Sequence, residues 1–449
     1  MVAGLVGGLV LSASVMGLAD GPRGRDAGEE HLRPPAPTPA AGSERAVDWR
    51  AAESGVLEGH VQVTLRERFV KAGEAYFDHQ SPPQWIVFQA VPVPVEGAEP
   101  DSFYSMYVAP LVRDGEGNIT GTGDPVRISP EGSANTCGWF HPTRGEVLFG
   151  STLTRPSDQQ KSGFQVGARK YVWMFPAEME IVRVRQAAAE KVERTGTKED
   201  ASIEVLLCTG FKVAPLRFGA PEVLISRPQY DAECSYSADG RYVLYAHVRE
   251  AKDEHDRPDA DLFVYDTLRE VHVPLVEASG YDGGPFFSPD GKWICYRSDR
   301  RGDDLLQLFI AELKFNEAGA ITGIERELQI TDNSAVNWAP YWHPSGKFLV
   351  YGSSEMGHQN YEVFAVEVDP AVKNAAELRR ARVTQSGGAD VLPVFSDDGS
   401  LMMWTAQRNT DEGARPSSQV WIARAVPGGI ENLIGQETKT DVPAPDAAR

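Results

Sequence analysis

One hairpin pattern recurs six times along this chain, and a repeat of that kind leaves few folds open. Its clearest copy is residues 284–296, GPFFSPDGKWICY, in which an apolar strand enters a tight turn and leaves as a second strand rich in aromatic and β-branched side chains. Pro289 pre-sets φ at the first central position, Asp290 suits the second, and Gly291 accepts the left-handed conformation that lets the chain fold back. Residues 339–351 (APYWHPSGKFLVY) and 392–404 (LPVFSDDGSLMMW) are close copies. Residues 233–245 (ECSYSADGRYVLY) lack only the proline, and residues 138–149 (GWFHPTRGEVLF) carry one extra turn residue. The most degenerate copy, residues 74–88 (EAYFDHQSPPQWIVF), keeps both apolar runs and loses the glycine.

Each hairpin is followed by a third strand with alternating side chains, at residues 104–111, 179–185, 261–267, 306–313, 361–368 and 419–423. A shorter fourth strand follows most of them, at 126–129, 223–226, 328–331 and 382–384. Four-stranded units of about 40 to 50 residues are the blades of a propeller. The fold class expected is therefore all-β: a six-bladed β-propeller of four-stranded antiparallel blades. The last blade lacks a fourth strand of its own, while an orphan strand, Val61-Gln62-Val63-Thr64, stands before the first hairpin. That orphan is expected to close the ring, which removes both free sheet edges. The interval between Phe140 and Tyr236 exceeds a normal blade by roughly 40 residues, which predicts surface insertions near 153–178 and 186–220, with a short helix at 186–194.

The propeller is expected over 58–426, preceded by a disordered Pro/Ala-rich linker at 20–57 that includes PPAPTPAA, and followed by a disordered tail at 427–449. Residues 1–19 are apolar and end in a small-x-small pattern, which reads as a signal peptide or, uncleaved, as an anchor; no Lys or Arg precedes Arg23. The expected location is periplasmic or secreted. A net charge of −20 repels nucleic-acid phosphates and anionic lipid headgroups, so neither is an expected partner. The four cysteines, Cys137, Cys208, Cys234 and Cys295, form no CxxC pair and no metal-ligand spacing. One or two disulfides fit an oxidising compartment, although Cys295, in a buried strand, reads better as a free thiol.

One polar position is shared by five of the hairpins. Asn135, Asp231, Asp282, Asn337 and Asp390 each stand five residues before the aromatic that marks the first strand, with Ala72 in the sixth copy. First strands converge on the propeller axis, so these side chains could ring a channel mouth, joined by Glu74 and Glu233, and bind calcium, another divalent cation or a basic peptide segment. The competing reading is that each caps the turn entering its strand. Tyr230, Tyr281, Trp139, Trp338 and Trp342 lie near the same loops, as a stacking platform for a sugar, anchors for a peptide, or packing between blades. His141 and His343 replace the serine of the turn and are expected to make its hydrogen bond; the acidic loop 253–261 lacks EF-hand spacing and reads as solvated.

The pattern at 285–296, with a D-Φ-Φ-V-x-D third strand as at 261–266 and an Ile/Val-Thr fourth strand, resembles the TolB-like β-propeller repeat family over about residues 61–423. The resemblance implies an exported binding module of the cell envelope. It covers the propeller alone, without the α/β domain that precedes it in TolB. No G-x-S-x-G, H-E-x-x-H, P-loop or G-x-G-x-x-G motif occurs, and the hydrolase domain of prolyl-oligopeptidase-type propeller enzymes has no counterpart after Ala425. The expected function is thus a non-catalytic, cofactor-free, monomeric scaffold for an envelope protein or peptide. The alternative is a polysaccharide-binding propeller or a metal-dependent lyase, since some lyases resemble these propellers and hold manganese through His and Gln; the adjacent pairs here are His79-Gln80 and His358-Gln359.

Overall fold

The computed structural model describes residues 48–157, 163–165, 170–172, 175–187, 217–249, 259–303, 305–408 and 417–436. They form six antiparallel blades in chain order. Blade 1 is Phe69–Phe77, Trp85–Pro92 and Ser105–Arg113, with Ile119–Thr122 and Val126–Arg127 sharing its outer position. Blade 2 is Asn135–Phe140, Glu146–Ser151, Glu180–Arg185 and Glu222–Ile225; blade 3 is Asp231–Tyr236, Tyr242–Val248, Ala260–Asp266 and Val271–Val276. Blade 4 is Asp282–Phe287, Trp293–Ser298, Gln307–Phe315 and Ile321–Gln329; blade 5 is Asn337–Trp342, Phe348–Ser353, Glu362–Glu367 and Arg380–Arg382. Blade 6 is Asp390–Phe395, Leu401–Ala406 and Gln419–Ala425, completed by Leu57–Gln62.

A closing strand forms as expected but begins four residues before the segment 61–64 that predicted it: Leu57 pairs with Ala425 and Gln62 with Trp421, so the first strand among the described residues is the outer strand of the last blade. Two expected boundaries move. Trp49–Glu53, within the expected linker, is a short helix (α1) with Glu53 fully buried, and Gly429–Gln436, within the expected tail, is a second helix (α2) that buries Ile430 and Ile434. The apolar contacts of both lie in the core shared by blades 5 and 6, beside Trp404, Trp421 and Phe348. The fourth strand of blade 3, Val271–Val276, was not legible because its burial alternates weakly around a proline. Residues 1–47, Cys208 and the expected helix at 186–194 fall wholly or almost wholly outside the described residues, as do the acidic loop 253–258 and most of the insertions; within the first insertion a hairpin pairs Gly163–Gln165 with Lys170–Val172. No helix among the described residues is long and apolar enough to cross a membrane.

The turn chemistry is visible atom by atom. Ser288 Oγ donates to Asp290 and accepts from the Trp293 N–H at 2.9 Å, Asp290 accepts from Lys292 N–H, and Gly291 sits at φ +67°. Ser237-Asp239-Gly240 and Ser396-Asp398-Gly399 repeat this arrangement. The histidines in two copies bond the turn differently from the serine they replace: His141 Nδ1 accepts from Thr143 and Arg144 N–H and His343 Nδ1 from Ser345 N–H, two or three residues on, where the serines accept from the N–H five residues on.

Candidate functional site

Every first strand contains a bulge at the same place, three residues before the marker aromatic. The extra residue is left unpaired and takes a left-handed conformation: Glu74 (φ 42°), Cys137 (54°), Glu233 (57°), Gly284 (57°), Ala339 (53°) and Leu392 (56°). For the five that are not glycine this conformation costs on the order of 1–2 kcal/mol each. The strain buys a re-aimed side chain and a stronger local twist where six strands converge.

The axis is thereby built in layers. One residue before each marker stand Tyr76, Trp139, Ser235, Phe286, Tyr341 and Val394. Tyr76 of blade 1 meets Phe286 of blade 4 at 5.7 Å between ring centroids, and Trp139 of blade 2 meets Tyr341 of blade 5 at 6.3 Å. Blades three apart in a ring of six are diametrically opposite, so these contacts span the channel and plug it with aromatic rings. Beneath the plug lies a buried polar layer. Tyr281 O–H donates to both oxygens of Glu233 (2.8 and 2.7 Å), and Arg297 donates to Tyr281 Oη (2.8 Å) and to Glu233 Oε2 (3.1 Å). Glu74 accepts from Cys137 Sγ (2.8 Å) and Thr136 Oγ1 (3.3 Å). Gly284 is required here: a Cβ at that position would stand 2.2 Å from Arg297 Nη1. Below this layer a second apolar cluster, containing Tyr230, Phe103, Trp338 and Tyr361, lines the opposite, loop-bearing end.

The layer holds two carboxylates for one guanidinium. Burial pushes the Glu74 carboxyl up to about 7, against the lowering effect of the Cys137 hydrogen bond and of Arg297, and the Glu233 charge adds to the rise. Burial, and then the same carboxylates, push the Cys137 thiol well above its usual range. A raised folded-state value means that the native protein binds the extra proton. The penalty is absent below the unfolded value near 4.5 and is complete above about pH 7. Glu74→Gln is therefore expected to stabilise the protein at pH 8 by about 3 kcal/mol at most, with no gain at pH 4. Thermal unfolding midpoints of the two proteins at both pH values check this; equal midpoints at pH 8 would contradict it.

The predicted ring does not face the channel. Asn135, Asp231, Asp282, Asn337 and Asp390 are each the first residue of their strand and are at most 3% exposed. Their bonds run to their own or the preceding blade: Asn135 Nδ2 donates to Tyr104 O, Asp231 bonds His247 at 2.9 Å, and Asp282 accepts from Arg300. Asn337 accepts from Ser353 Oγ and donates to Gln307, and Asp390 accepts from Arg408 and Ser386. They fasten the strand entrance. Of the remaining candidates, Glu74, Glu233 and Tyr281 come together in the polar layer, Trp139 joins the plug, and Trp338 packs edge-on to Tyr361 at the loop end. Arg297 and Tyr341 were missed: nothing in the repeat marks Arg297, whereas Tyr341 stands in the column one residue before the marker, which is aromatic in four of the six copies. Cys137, Cys234 and Cys295 are free and buried.

Outside the plug, on the face formed by the first-to-second-strand turns, lies a funnel of about 390 Å³. Trp139, Phe286 and Tyr341 form its floor, Pro142, Pro289 and Pro344 its walls, and His79 and Asp397 part of its rim. Through Ser288, Pro289, Trp342 and Pro344 it continues into a groove of about 470 Å³ between blades 4 and 5, which adds Trp293 and Pro370. The two His-Gln pairs lie at opposite ends of the propeller: His79 in a turn at the funnel, His358 in the loop between the second and third strands of blade 5.

No family model matches the chain. It is 30% identical over 118 residues to the uncharacterized protein Atu1656 of Agrobacterium fabrum, covering 26% of this chain and 34% of that protein. It is 24% identical over 209 residues to the uncharacterized peptidase YuxL of Bacillus subtilis, covering 40% and 30%. The matches thus span about a third of each curated relative. Among solved structures, TolB from Acinetobacter baumannii aligns over 76% of this chain and 64% of its own (TM-score 0.43, 15% identity). An oligogalacturonate lyase in complex with manganese aligns over 83% and 97% (TM-score 0.40, 11% identity). With six repeated hairpins, four-stranded blades and a ring closed by the N-terminal strand, this chain is a six-bladed β-propeller.

Proposed function

We propose that this propeller is a non-catalytic scaffold of the cell envelope, reached by export, which seats a protein or peptide segment in the funnel and the groove continuous with it. The observation that carries the reading is the pairing of a plugged axis with an open, aromatic-floored and proline-walled depression directly above it. Rigid aromatic and proline surfaces lose little conformational entropy on binding, and buried aromatic anchors dominate binding energy. The excess of acidic side chains and Asp397 at the rim favour a basic or neutral segment over an acidic one.

The test is a crosslinked affinity capture from the native envelope fraction, comparing the wild-type chain with Pro289→Glu/Pro344→Glu, which alters the wall shared by funnel and groove without touching the plug. One envelope protein enriched by the wild type and reduced about tenfold or more with the variant is the expected result, since losing a hot-spot contact costs upwards of 1–2 kcal/mol. Equal capture by both proteins, or none above background, defeats the reading.

A further inference from the structure

His79 occupies an unusual position at the rim of the funnel. It stands in the long turn of blade 1, and its Nδ1 lies 3.0 Å from Asp397 Oδ2 in the turn of blade 6, while its Nε2 lies 3.2 Å from the Phe140 carbonyl oxygen at the end of the first strand of blade 2. A carbonyl oxygen can only accept, and an ionised carboxylate can only accept. A neutral imidazole carries a single N–H. Both bonds therefore form together only when both ring nitrogens are protonated. The ring also lies 5.7 Å from Trp139, on the funnel floor, a distance at which a cation is attracted to an aromatic face.

We infer that His79 is a proton-gated clamp on the funnel: as an imidazolium it joins blades 6, 1 and 2 across the rim, and on losing a proton it releases one neighbour and loosens that side of the funnel. The inference deepens the proposed function, and rests on it for the claim that loosening the rim alters binding. The clamp itself stands on geometry alone. The charged and titratable groups around it are consistent with a switch centred on this ring. Asp397 bonds it directly. Asp398 of the same turn accepts from Ser81 Oγ, two residues along from His79, and adds a bond between blades 1 and 6 that does not involve the ring. Asp78, next in sequence, accepts from Gln80 and from the N–H groups of Gln84 and Trp85 and does not bond the ring, but burial pushes its carboxyl up to about 6, so it changes charge in the same range and only the His79→Gln comparison separates the two. His141, on blade 2, is held by its turn, and burial pushes it down to about 4, so it stays neutral above about pH 5. Tyr341, across the floor, is pushed up by burial and then by Asp397, and stays neutral as well.

The deciding experiment is hydrogen exchange of the whole chain, read by mass spectrometry between about pH 5 and 8, where histidine ordinarily changes charge, with rates corrected for the intrinsic pH dependence of exchange. One of the segments 395–401 and 138–146, the one whose bond the neutral ring gives up, should lose protection as the pH rises, at the same midpoint as the ring of His79 followed by NMR. In His79→Gln, whose amide can donate but does not titrate, the two segments should show no pH step. Asp397→Asn, whose amide can donate to Nδ1 of a neutral ring while Nε2–H stays on the Phe140 carbonyl, should abolish the step in both segments. A step that persists in His79→Gln, or protection that is flat across the range in the wild type, overturns the clamp. These outcomes need no partner, so failure of the affinity capture and failure of the clamp are distinguishable; a clamp that holds while capture is unchanged between pH 5.5 and 8 removes the regulatory link and leaves a structural bond.

Discussion

Replacing Arg408 by methionine is expected to destabilise the propeller by about 3–5 kcal/mol, the range found when one member of a buried ion network is removed and its partners are left uncompensated. The Arg408 side chain is fully buried, as are Glu53 and Asp390. Its guanidinium donates to both oxygens of Glu53 (2.7 and 2.9 Å) and to Asp390 (2.6 Å), and it lies over the rings of Trp49 and Trp404. Glu53 also bonds His60 and accepts from the Gln385 N–H. The network joins α1, the closing strand, blade 6 and the loop leaving blade 5, so it locks the two ends of the ring. Burial alone would raise the Glu53 carboxyl, but the hydrogen bonds from His60 and Arg408 and the charge of Arg408 more than offset it and hold the group below its ordinary 4.5. A depressed value contributes stability that is complete above the unfolded pKa and is lost as the pH falls through the folded one. Unfolding midpoints at pH 7 measure the loss. The variant E53Q/R408M/D390N should recover much of it, because removing the whole set leaves no buried charge. An unchanged midpoint for Arg408→Met would mean that ring closure rests on strand pairing and apolar contacts alone.

The second large effect is expected at Arg297. Arg297→Met leaves Glu233 with Tyr281 but no cation, in a layer that still contains Glu74 and is sealed by aromatic rings. A loss of about 3–5 kcal/mol is expected at pH 8. It should be smaller at pH 5, where Glu74 holds its proton. A double-mutant cycle with Glu74→Gln makes the coupling explicit: the pair should be more stable than the sum of the two single changes implies, by more than the few tenths of a kcal/mol seen for independent sites. Strict additivity would show that Glu74 and Arg297 do not sense each other and that the polar layer is two separate pairs.

The fold was legible because its information is local and repeated. Pro289-Asp290-Gly291 and its relatives carry their own turn geometry, and the alternation in strands such as Ala260–Asp266 is a property of successive residues. Six weak signals in register reinforce one another, and the orphan strand at residues 61–64 could be assigned because a ring requires one, although the strand that forms is 57–62. The helices were less legible. The five residues of α1 have no stability of their own, and the helix exists because Glu53 and Trp49 find Arg408 and Trp421.

The site was legible only in part. The shared Asn/Asp position stands out in the sequence, but an aligned column shows a residue type and not where its side chain turns. The second strands and the residues just after them supply partners in four blades, His247, Arg300, Ser353 and Arg408, and Tyr104 of the preceding blade holds Asn135, which draws those groups away from the channel. The bulge column reads Glu, Cys, Glu, Gly, Ala, Leu and shows no common chemistry. Its meaning appears only when six different residues are brought to one axis, where what matters is the sum of their charges and volumes.

By itself, then, the sequence determined the blade, the number of blades and the way the ring is closed, since these follow from turn dihedrals, side-chain alternation and the need to pair every sheet edge. The tertiary structure decided that the axis is plugged, that two carboxylates share one guanidinium and that His79 spans three blades. Those are relations between residues as far as 318 positions apart, and no local propensity encodes the distance between side chains that meet only when the ring closes.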